Sequence, residues 1–210
     1  IGTKDYFEFT PGILRTIVDL NHAKKIEISH KDYLKNSKII FGEVKKTDNK
    51  YVHVNNKKLP FDYLIISSGS EYKSHIKEEN VILPNRIKIL KESHSKLEKA
   101  ESVLIVGGGL VGVELAGEII EKYPEKNLTL IHAQDRLIPR NSFKSSKYCL
   151  DFLTRKKIKV KLNQTINKTQ VYDLIFFCTG IKPNLDFVNK NLVDKKGILV
   201  NEFLQLKTKS

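Results

Sequence analysis

Three glycines in the middle of the chain, Gly107, Gly109 and Gly112, stand in the spacing G-x-G-x-x-G directly after a short apolar run, in VLIVGGGLVGVELAGEI over residues 103–119. A turn with this spacing can hold a pyrophosphate. The first glycine permits a tight backbone turn, the second lets the main chain approach the phosphate, and the third lets the next helix pack against the preceding strand. That helix also aims unpaired N–H groups and the positive end of its dipole at the same phosphate. The main chain of Gly108, Leu110 and Val111 therefore belongs to the expected site. Glycine triplets also occur in plain turns, so the pattern gains force from its context: a strand before, a helix after, and a second strand at the right distance.

Where such a turn selects NAD, an acid after the second strand holds the ribose 2′-hydroxyl. Here the apolar run Leu128 to Ile131 ends in His132, with Gln134, Asp135 and Arg136 beyond, so the acid is missing from its place. Strict selection of NADH is not expected. His132 or Arg136 could accommodate a 2′-phosphate, which makes NADPH admissible, and His132 can equally be a polar residue at a strand end. Glu114, two residues past the last glycine, is expected on the first turn of the helix. An acid there is stabilised by the helix N-terminus, whether or not it also serves the cofactor.

These residues need a scaffold, and the apolar periodicity supplies one. A strand over Val103 to Val106, a helix from Leu110 to about Lys122 stopping at Tyr123-Pro124, and a strand over Leu128 to Ile131 make a βαβ unit of roughly 30 residues. A helix over Phe143 to Lys156, a strand over Ile158 to Leu162 and a buried strand over Asp173 to Cys178, closing on Thr179-Gly180, follow. Ahead of the unit, PGILRTIVDL reads as a short helix with Pro11 in its first turn, and KKIEISH as a strand. SKIIFGEVKKT, KYVHVNN and KLPFDYLIISSGS read as short antiparallel strands leading into an apolar parallel strand, Tyr63 to Ile66. A lysine- and glutamate-rich helix is expected from about Lys88 to Ala100, and GILVNEFLQLK alternates like an exposed strand. No repeat of fixed period is present, but two apolar strands end alike, in SSG and in CTG.

With 210 residues, 40% of them hydrophobic, the chain can bury the core of one large or two small domains. The excess of 37 Lys and Arg over 24 Asp and Glu could attract nucleic acid or an anionic membrane, yet the lysines are scattered and no nucleic-acid module is evident. A solvated lysine-rich surface is the expectation. Cys149 and Cys178 lie far apart, without C-x-x-C or metal-ligand spacing, which argues against a dithiol redox centre within the chain. Cys178, inside LIFFCTG, reads as a buried inert thiol. No apolar stretch is long enough to span a bilayer and IGTKDYFEF is no signal peptide, so the expected address is cytoplasmic, with a membrane-surface or mitochondrial location open.

Taken in order, LPFDYLIISSGS, VLIVGGGLVGVELAGEI, YPEKNLTLIHAQDRLIPR, DLIFFCTGIKPN and GILVNEFLQL resemble the two-dinucleotide-fold flavoprotein oxidoreductases of the pyridine nucleotide-disulfide oxidoreductase superfamily. Within it the chain is most similar to the apoptosis-inducing-factor-like branch, from about Asp5 to Leu206. The resemblance implies an α/β chain with two Rossmann-like folds, in which an inserted NAD(P)H-binding fold interrupts an FAD-binding fold. The implied boundaries are a partial FAD domain over 1–97, an NAD(P)H domain over 98–185, and a return to the FAD domain over 186–210. The implied cofactors are FAD and NAD(P)H, and the implied activity passes hydride from NAD(P)H to FAD and on to a small-molecule acceptor such as a quinone. No side chain stands out as a general acid or base.

By the same likeness Arg15 contacts FAD, the backbone of Ile40 borders the adenine, and Ser68 and Gly69 stand in the family's Ala-Thr-Gly turn beside the flavin. Glu114, Thr179 and Gly180 would lie near the nicotinamide. Serine in place of the threonine keeps the hydroxyl. On the residues alone, Arg15 is equally a surface arginine of a helix and Ile40 a core residue. The family's first glycine fingerprint would precede Asp5, its Gly-Asp motif would follow LVNEFLQL, and Asn163 to Val171 is short for a stretch that carries extra strands in the family. The expectation is a piece of a longer flavoprotein or a degenerate relative. The alternative to an oxidoreductase is a non-enzymatic dinucleotide-binding module, or a basic one that touches nucleic acid or a membrane.

Overall fold

The structure, a computed structural model, describes residues 1–72, 76, 81–166 and 171–206. It opens with strand β1 (Tyr6–Glu8), helix α1 (Ile13–Val18) and a second short helix, α2 (Ala23–Ile26). Helix α1 forms where expected, after a 3-10 turn that contains Pro11, and buries Ile13, Leu14, Ile17 and Val18. The strand expected over KKIEISH is only half there. Lys24 to Ile26 complete α2, and strand β2 (Glu27–Ser29) alone is extended, antiparallel to β1. Ala23 and Ile26 are both buried, and two residues three apart share a face on a helix but not on a strand.

After the short helix α3 (His30–Tyr33), strands β3 (Val44–Thr47), β4 (Tyr51–Val54) and β5 (Lys57–Pro60) form the expected antiparallel meander. Asn55 and Asn56, at φ of 47° and 60°, make its tight second turn, a conformation asparagine tolerates well. SKIIF is not part of β3; it is held instead by a single parallel bridge between Phe41 and Gly2. The parallel strand expected over Tyr63 to Ile66 does not form. No described strand runs beside it, and Tyr63 and Ile65 are 94% and 87% exposed. An apolar run becomes a strand only where a neighbour pairs its backbone and covers its side chains.

Strand β6 (Ser70–Tyr72) precedes helix α4 (Leu83–Lys99), which starts earlier than the expected Lys88. The residue before α4, Ile82, has no capping side chain. Asp5 does that task from 78 positions away, its Oδ1 accepting the Leu83 N–H at 2.9 Å.

The centre follows the reading closely: β7 (Ser102–Val106), α5 (Leu110–Lys122), β8 (Asn127–Ile131), α6 (Phe143–Arg155), β9 (Lys159–Lys161) and β10 (Leu174–Phe177). The strands form a parallel sheet in the order β10-β7-β8-β9, with Val103 opposite both Leu128 and Leu174. Strand side chains alternate between faces. Val103 and Ile105 enter the main core with Leu115 and Ile119 of α5, whereas Leu104 and Val106 join Ile131 in a smaller cluster. Burial on both faces explains why β7 reads as an unbroken apolar run. Helix α1 packs on both α4 and α5, which ties the leading half of the chain to the helical side of the sheet.

Of the stretch that is short for the family, residues 167–170 lie outside the described residues. Strand β11 (Ile181–Pro183) pairs antiparallel with β6, Ile181 opposite Tyr72 and Pro183 opposite Ser70. The described part of the tail, to Leu206, forms no strand: two isolated bridges, Val193 to Ile198 and Val200 to Leu206, hold it. The Asn201 side chain accepts the N–H groups of Phe203 and Gln205, a local turn that competes with a strand ladder.

Candidate nucleotide-binding site

The glycine turn joins β7 to α5, and its three glycines are needed for different reasons. Gly107 has φ +116°, and a Cβ there would sit 2.6 Å from the carbonyl oxygen of Cys178 and 3.2 Å from the Thr179 methyl. A Cβ on Gly112 would lie 1.9 Å from the carbonyl oxygen of Gly107. These two glycines are required by the chain itself. Gly109 has an ordinary extended backbone, φ −75° and ψ −176°, and no atom within 4 Å of where its Cβ would be. The space beside it is open, in front of the N-terminus of α5. The first bond of that end runs from Val113 N to Gly109 O at 3.1 Å, so the N–H groups of Leu110, Val111 and Gly112 precede the helical ladder. Open space beside Gly109 and three aligned donors are what a pyrophosphate needs.

Gly108 is held from two sides. Its N–H donates to Nδ1 of His132 at 3.1 Å, and its carbonyl accepts the Ile138 N–H at 2.7 Å. Its Cα packs against the His132 ring and Leu137, leaving no room for a side chain. His132 sits at the end of β8, where its own N–H donates to Lys161 O and its carbonyl accepts from Gln164 N. An accepting Nδ1 places the imidazole proton on Nε2, which is buried and has no partner among the described residues. Burial holds the pKa of His132 below the ordinary value, against the pull of Asp135. The ring is thus a neutral brace for the turn in this arrangement. The Arg136 guanidinium is likewise engaged, donating to the carbonyls of Pro139 and Asn141. Ile138, in the same loop, adopts φ +40°, an unusual backbone for a β-branched residue and a sign that the loop is held tightly.

The similar endings SSG and CTG do not meet: the antiparallel register of β6 and β11 sets them at opposite ends of that pair. Asn184, just past β11, secures the SSG turn: its N–H donates to Gly69 O at 3.0 Å, its Nδ2 donates to Ser68 O at 3.0 Å, and its carbonyl accepts the Ser68 hydroxyl at 2.6 Å. Just beyond, β6 and β11 pair, so the chain enters and leaves the parallel-sheet unit as one two-stranded ribbon. Gly69 and Gly180, at φ +69° and +64°, make the two bends. Thr179 and Gly180 are thereby exposed beside Gly107. Ile40 and Ser68 line one large open cavity of about 1090 Å³, between the meander and the Tyr63 to Ser67 segment, with Tyr6, Val52 and Phe187 among its other walls. Ile40 takes part in no strand; its carbonyl accepts the Gly2 N–H.

Arg15 does not line that cavity. It forms a forked ion pair with Glu118 of α5, with Nε at 3.1 Å and 3.2 Å from the two carboxylate oxygens and Nη2 at 2.9 Å from Oε1. Glu114 opens the second turn of α5 rather than the first, because the helix begins at Leu110. Partial burial, and then the charge of Glu118 one turn on, push its carboxyl pKa upward. The phenol of Tyr72 is raised by burial and then by the nearness of Cys178 and Glu114, which places these three groups in one neighbourhood. Cys178 is buried, and burial pushes its thiol up to about 12, as an inert thiol requires. The roles of Asn184 and of His132 Nδ1 escaped the sequence reading. Asn184 lay within the quoted CTGIKPN, but which backbone groups it meets depends on the fold.

The sequence pattern of the family described as pyridine nucleotide-disulphide oxidoreductase matches residues 3–210. The chain belongs to that family. Among curated proteins, it is 32% identical to apoptosis-inducing factor homolog A of Dictyostelium discoideum over 89% of this chain and 48% of that protein. It is 29% identical to ferroptosis suppressor protein 1 of Xenopus tropicalis over 98% of this chain and 63% of that protein. The chain thus spans about half to three-fifths of the length of these relatives. Among solved structures, NADH:rubredoxin oxidoreductase from Clostridium acetobutylicum superposes with a TM-score of 0.74 at 26% identity, over 99% of this chain and 58% of that one. The water-forming NADH oxidase of Lactobacillus brevis bound to NADH gives 0.71 at 18% identity, over 88% and 48%, a likeness of fold alone. The mixed α/β architecture expected of the family is therefore the one this chain has.

Proposed function

We propose that the chain is the nicotinamide-nucleotide-binding part, with adjoining pieces of the flavin-binding part, of an FAD-dependent NAD(P)H oxidoreductase. The observation that carries this reading is the open space at Gly109 in front of the first N–H groups of α5, beside the exposed Thr179-Gly180 turn. Residues 98–185 form the NAD(P)H domain, and 1–97 with 186–210 the FAD side; the β6–β11 ribbon fits a crossing between the two. FAD would lie along the cavity lined by Ile40 and Ser68, whose volume of about 1090 Å³ suits a large ligand.

The chemistry supplied by the bound cofactors is hydride transfer from nicotinamide to flavin. The residues of this chain bind and orient. Gly109 and the N–H groups of Leu110, Val111 and Gly112 take the pyrophosphate, Gly107 and Gly112 keep strand and helix close, and His132 holds Gly108. Thr179, Gly180 and Glu114 border the nicotinamide, and Arg15 and Ser68 serve the flavin side. With no acid directly after β8, NADPH is admissible beside NADH. The electron acceptor is a small molecule, in the finer reading a quinone reached at a membrane surface. No described helix is long and apolar enough to cross a membrane, so such contact would be peripheral or made by other residues.

The test is the full-length protein. It should purify yellow, with visible flavin absorbance, and should oxidise NADH or NADPH when a soluble quinone is present. A colourless full-length protein that leaves both nucleotides unoxidised refutes the reading.

A further inference from the structure

We propose that His132 is a proton-sensitive latch on the phosphate-binding turn: its neutral ring holds Gly108 in place, and protonation of the ring releases the turn and with it the dinucleotide. This rests on the reading of the turn as a dinucleotide site. A residue at the end of the second strand is usually considered for what it does to the ribose. Here the side chain points back into the turn, with Nδ1 accepting the Gly108 N–H at 3.1 Å.

Protonation puts a hydrogen on Nδ1, and two donors then face each other. Gly108 is also held on its far side, where its carbonyl accepts the Ile138 N–H at 2.7 Å, and a Cβ on it would sit 2.6 Å from Leu137 and 2.9 Å from the ring, so the residue is closely hemmed in. The new charge also gains little from solvent, since Nε2 is buried and without a partner among the described residues. The charged neighbours are Asp135 in the same loop and Lys161 on β9, which meets His132 through its main-chain carbonyl. Asp135 favours the charged ring, but burial outweighs it. In this proposal the strain is relieved by opening of the loop that carries Leu137, Ile138 and the Arg136 brace. Because the nucleotide needs the closed turn, binding and protonation oppose each other, and affinity falls by up to tenfold for each pH unit below the value at which His132 titrates.

The experiment follows binding of NAD⁺ and ADP-ribose by calorimetry from about pH 7.5 to about pH 5, a range in which their pyrophosphate does not titrate but a histidine does. The expected result is constant affinity near neutrality and a steep loss below the ordinary histidine pKa of 6.5. His132→Asn, whose Oδ1 accepts where Nδ1 did but does not titrate, should lose the pH dependence. His132→Leu should bind about tenfold more weakly at every pH, because the Gly108 N–H is left unpaired. A flat profile in the unaltered protein, or affinity that rises on acidification, overturns the latch while leaving the nucleotide site standing. Absence of binding at neutral pH overturns the site reading and the latch together. Should the variants not fold, histidine ¹⁵N spectra of the unaltered protein decide: an Nε2-protonated ring with a hydrogen-bonded Nδ1 is expected, and a ring protonated on Nδ1 refutes the proposal.

Discussion

Two glycine-to-alanine changes, three residues apart in the same turn, should have opposite consequences. At Gly112 the new methyl would lie 1.9 Å from the carbonyl oxygen of Gly107 and 3.1 Å from its carbon. Gly107 cannot retreat, because its own Cα already faces Cys178 O, 2.6 Å from where a Cβ would stand. Strand β7, helix α5 and the end of β10 must therefore separate, an overpacking cost of about 3 kcal/mol or more. For a chain of this size that is a fall of roughly 6–12 °C in Tm. At Gly109 no atom lies within 4 Å and the backbone is one any residue adopts. Alanine there costs only the difference between glycine and alanine before a helix, below about 1 kcal/mol. The methyl nevertheless enters the space a pyrophosphate must occupy, so affinity for NAD⁺ should fall at least tenfold, about 1.4 kcal/mol. Far-UV circular dichroism melts and calorimetric NAD⁺ titration on both variants provide the assay. If Gly109→Ala binds NAD⁺ as the unaltered chain does, the phosphate does not approach there. If Gly112→Ala melts at an unchanged temperature, the close helix–strand contact is not as tight as described.

Three further outcomes are expected. Burial, and next the charge of Glu8, push the Glu27 carboxyl from the ordinary 4.5 up to about 7, so its contribution to stability is fully present below pH 4.5 and lost as the pH rises towards 7. The full gap is worth about 3 kcal/mol; because Glu27 is only partly buried, Glu27→Gln should gain about 1–2 kcal/mol at alkaline pH and flatten the profile, measured by urea midpoints across pH. Arg86, fully buried, pairs with the nearly buried Glu8 at 2.7 Å and donates to Ile76 O at 2.8 Å, so Arg86→Met leaves a buried carboxylate unpaired and should lower stability by about 3–5 kcal/mol in urea. Arg15→Ala breaks an exposed ion pair and should leave the melting temperature nearly unchanged, yet weaken FAD binding by the full-length protein if Arg15 serves the flavin. Unchanged FAD affinity in a flavin titration would confine Arg15 to its contact with Glu118.

The part of this protein that was legible in its sequence is the part whose causes are local. Strand β7, the glycine turn, α5 and β8 follow one another without a gap, and each carries its own signal: apolar runs buried on both faces, glycines where a Cβ would strike the neighbouring backbone, and Pro124 just past the helix end. The expected position of a phosphate site was within reach from that stretch, and the fold class and family from it together with the stretches that resemble the family before and after it. Elements whose causes lie elsewhere in the chain were misread. Helix α4 starts at Leu83 because Asp5 caps it from 78 positions away. Lys24 to Ile26 are helical because Ala23 and Ile26 share a buried face. The apolar segment Tyr63 to Ile66 is not a strand because no described strand lies beside it to pair.

The same division runs through the site. Residue types and spacing alone determined which glycines a dinucleotide would need and that no carboxylate stands directly after β8. Only the tertiary structure decided what His132 and Arg136 do, since a side chain's hydrogen-bond partner is chosen by whatever the fold brings within about 3 Å. It brought Gly108 N–H to the histidine and two loop carbonyls to the arginine. It also brought Asn184 to the SSG turn, though 116 positions separate Ser68 from Asn184. A glycine pattern is enforced by backbone sterics within a few residues, and can be read there. A latch depends on two segments meeting, and only the folded chain records that they do.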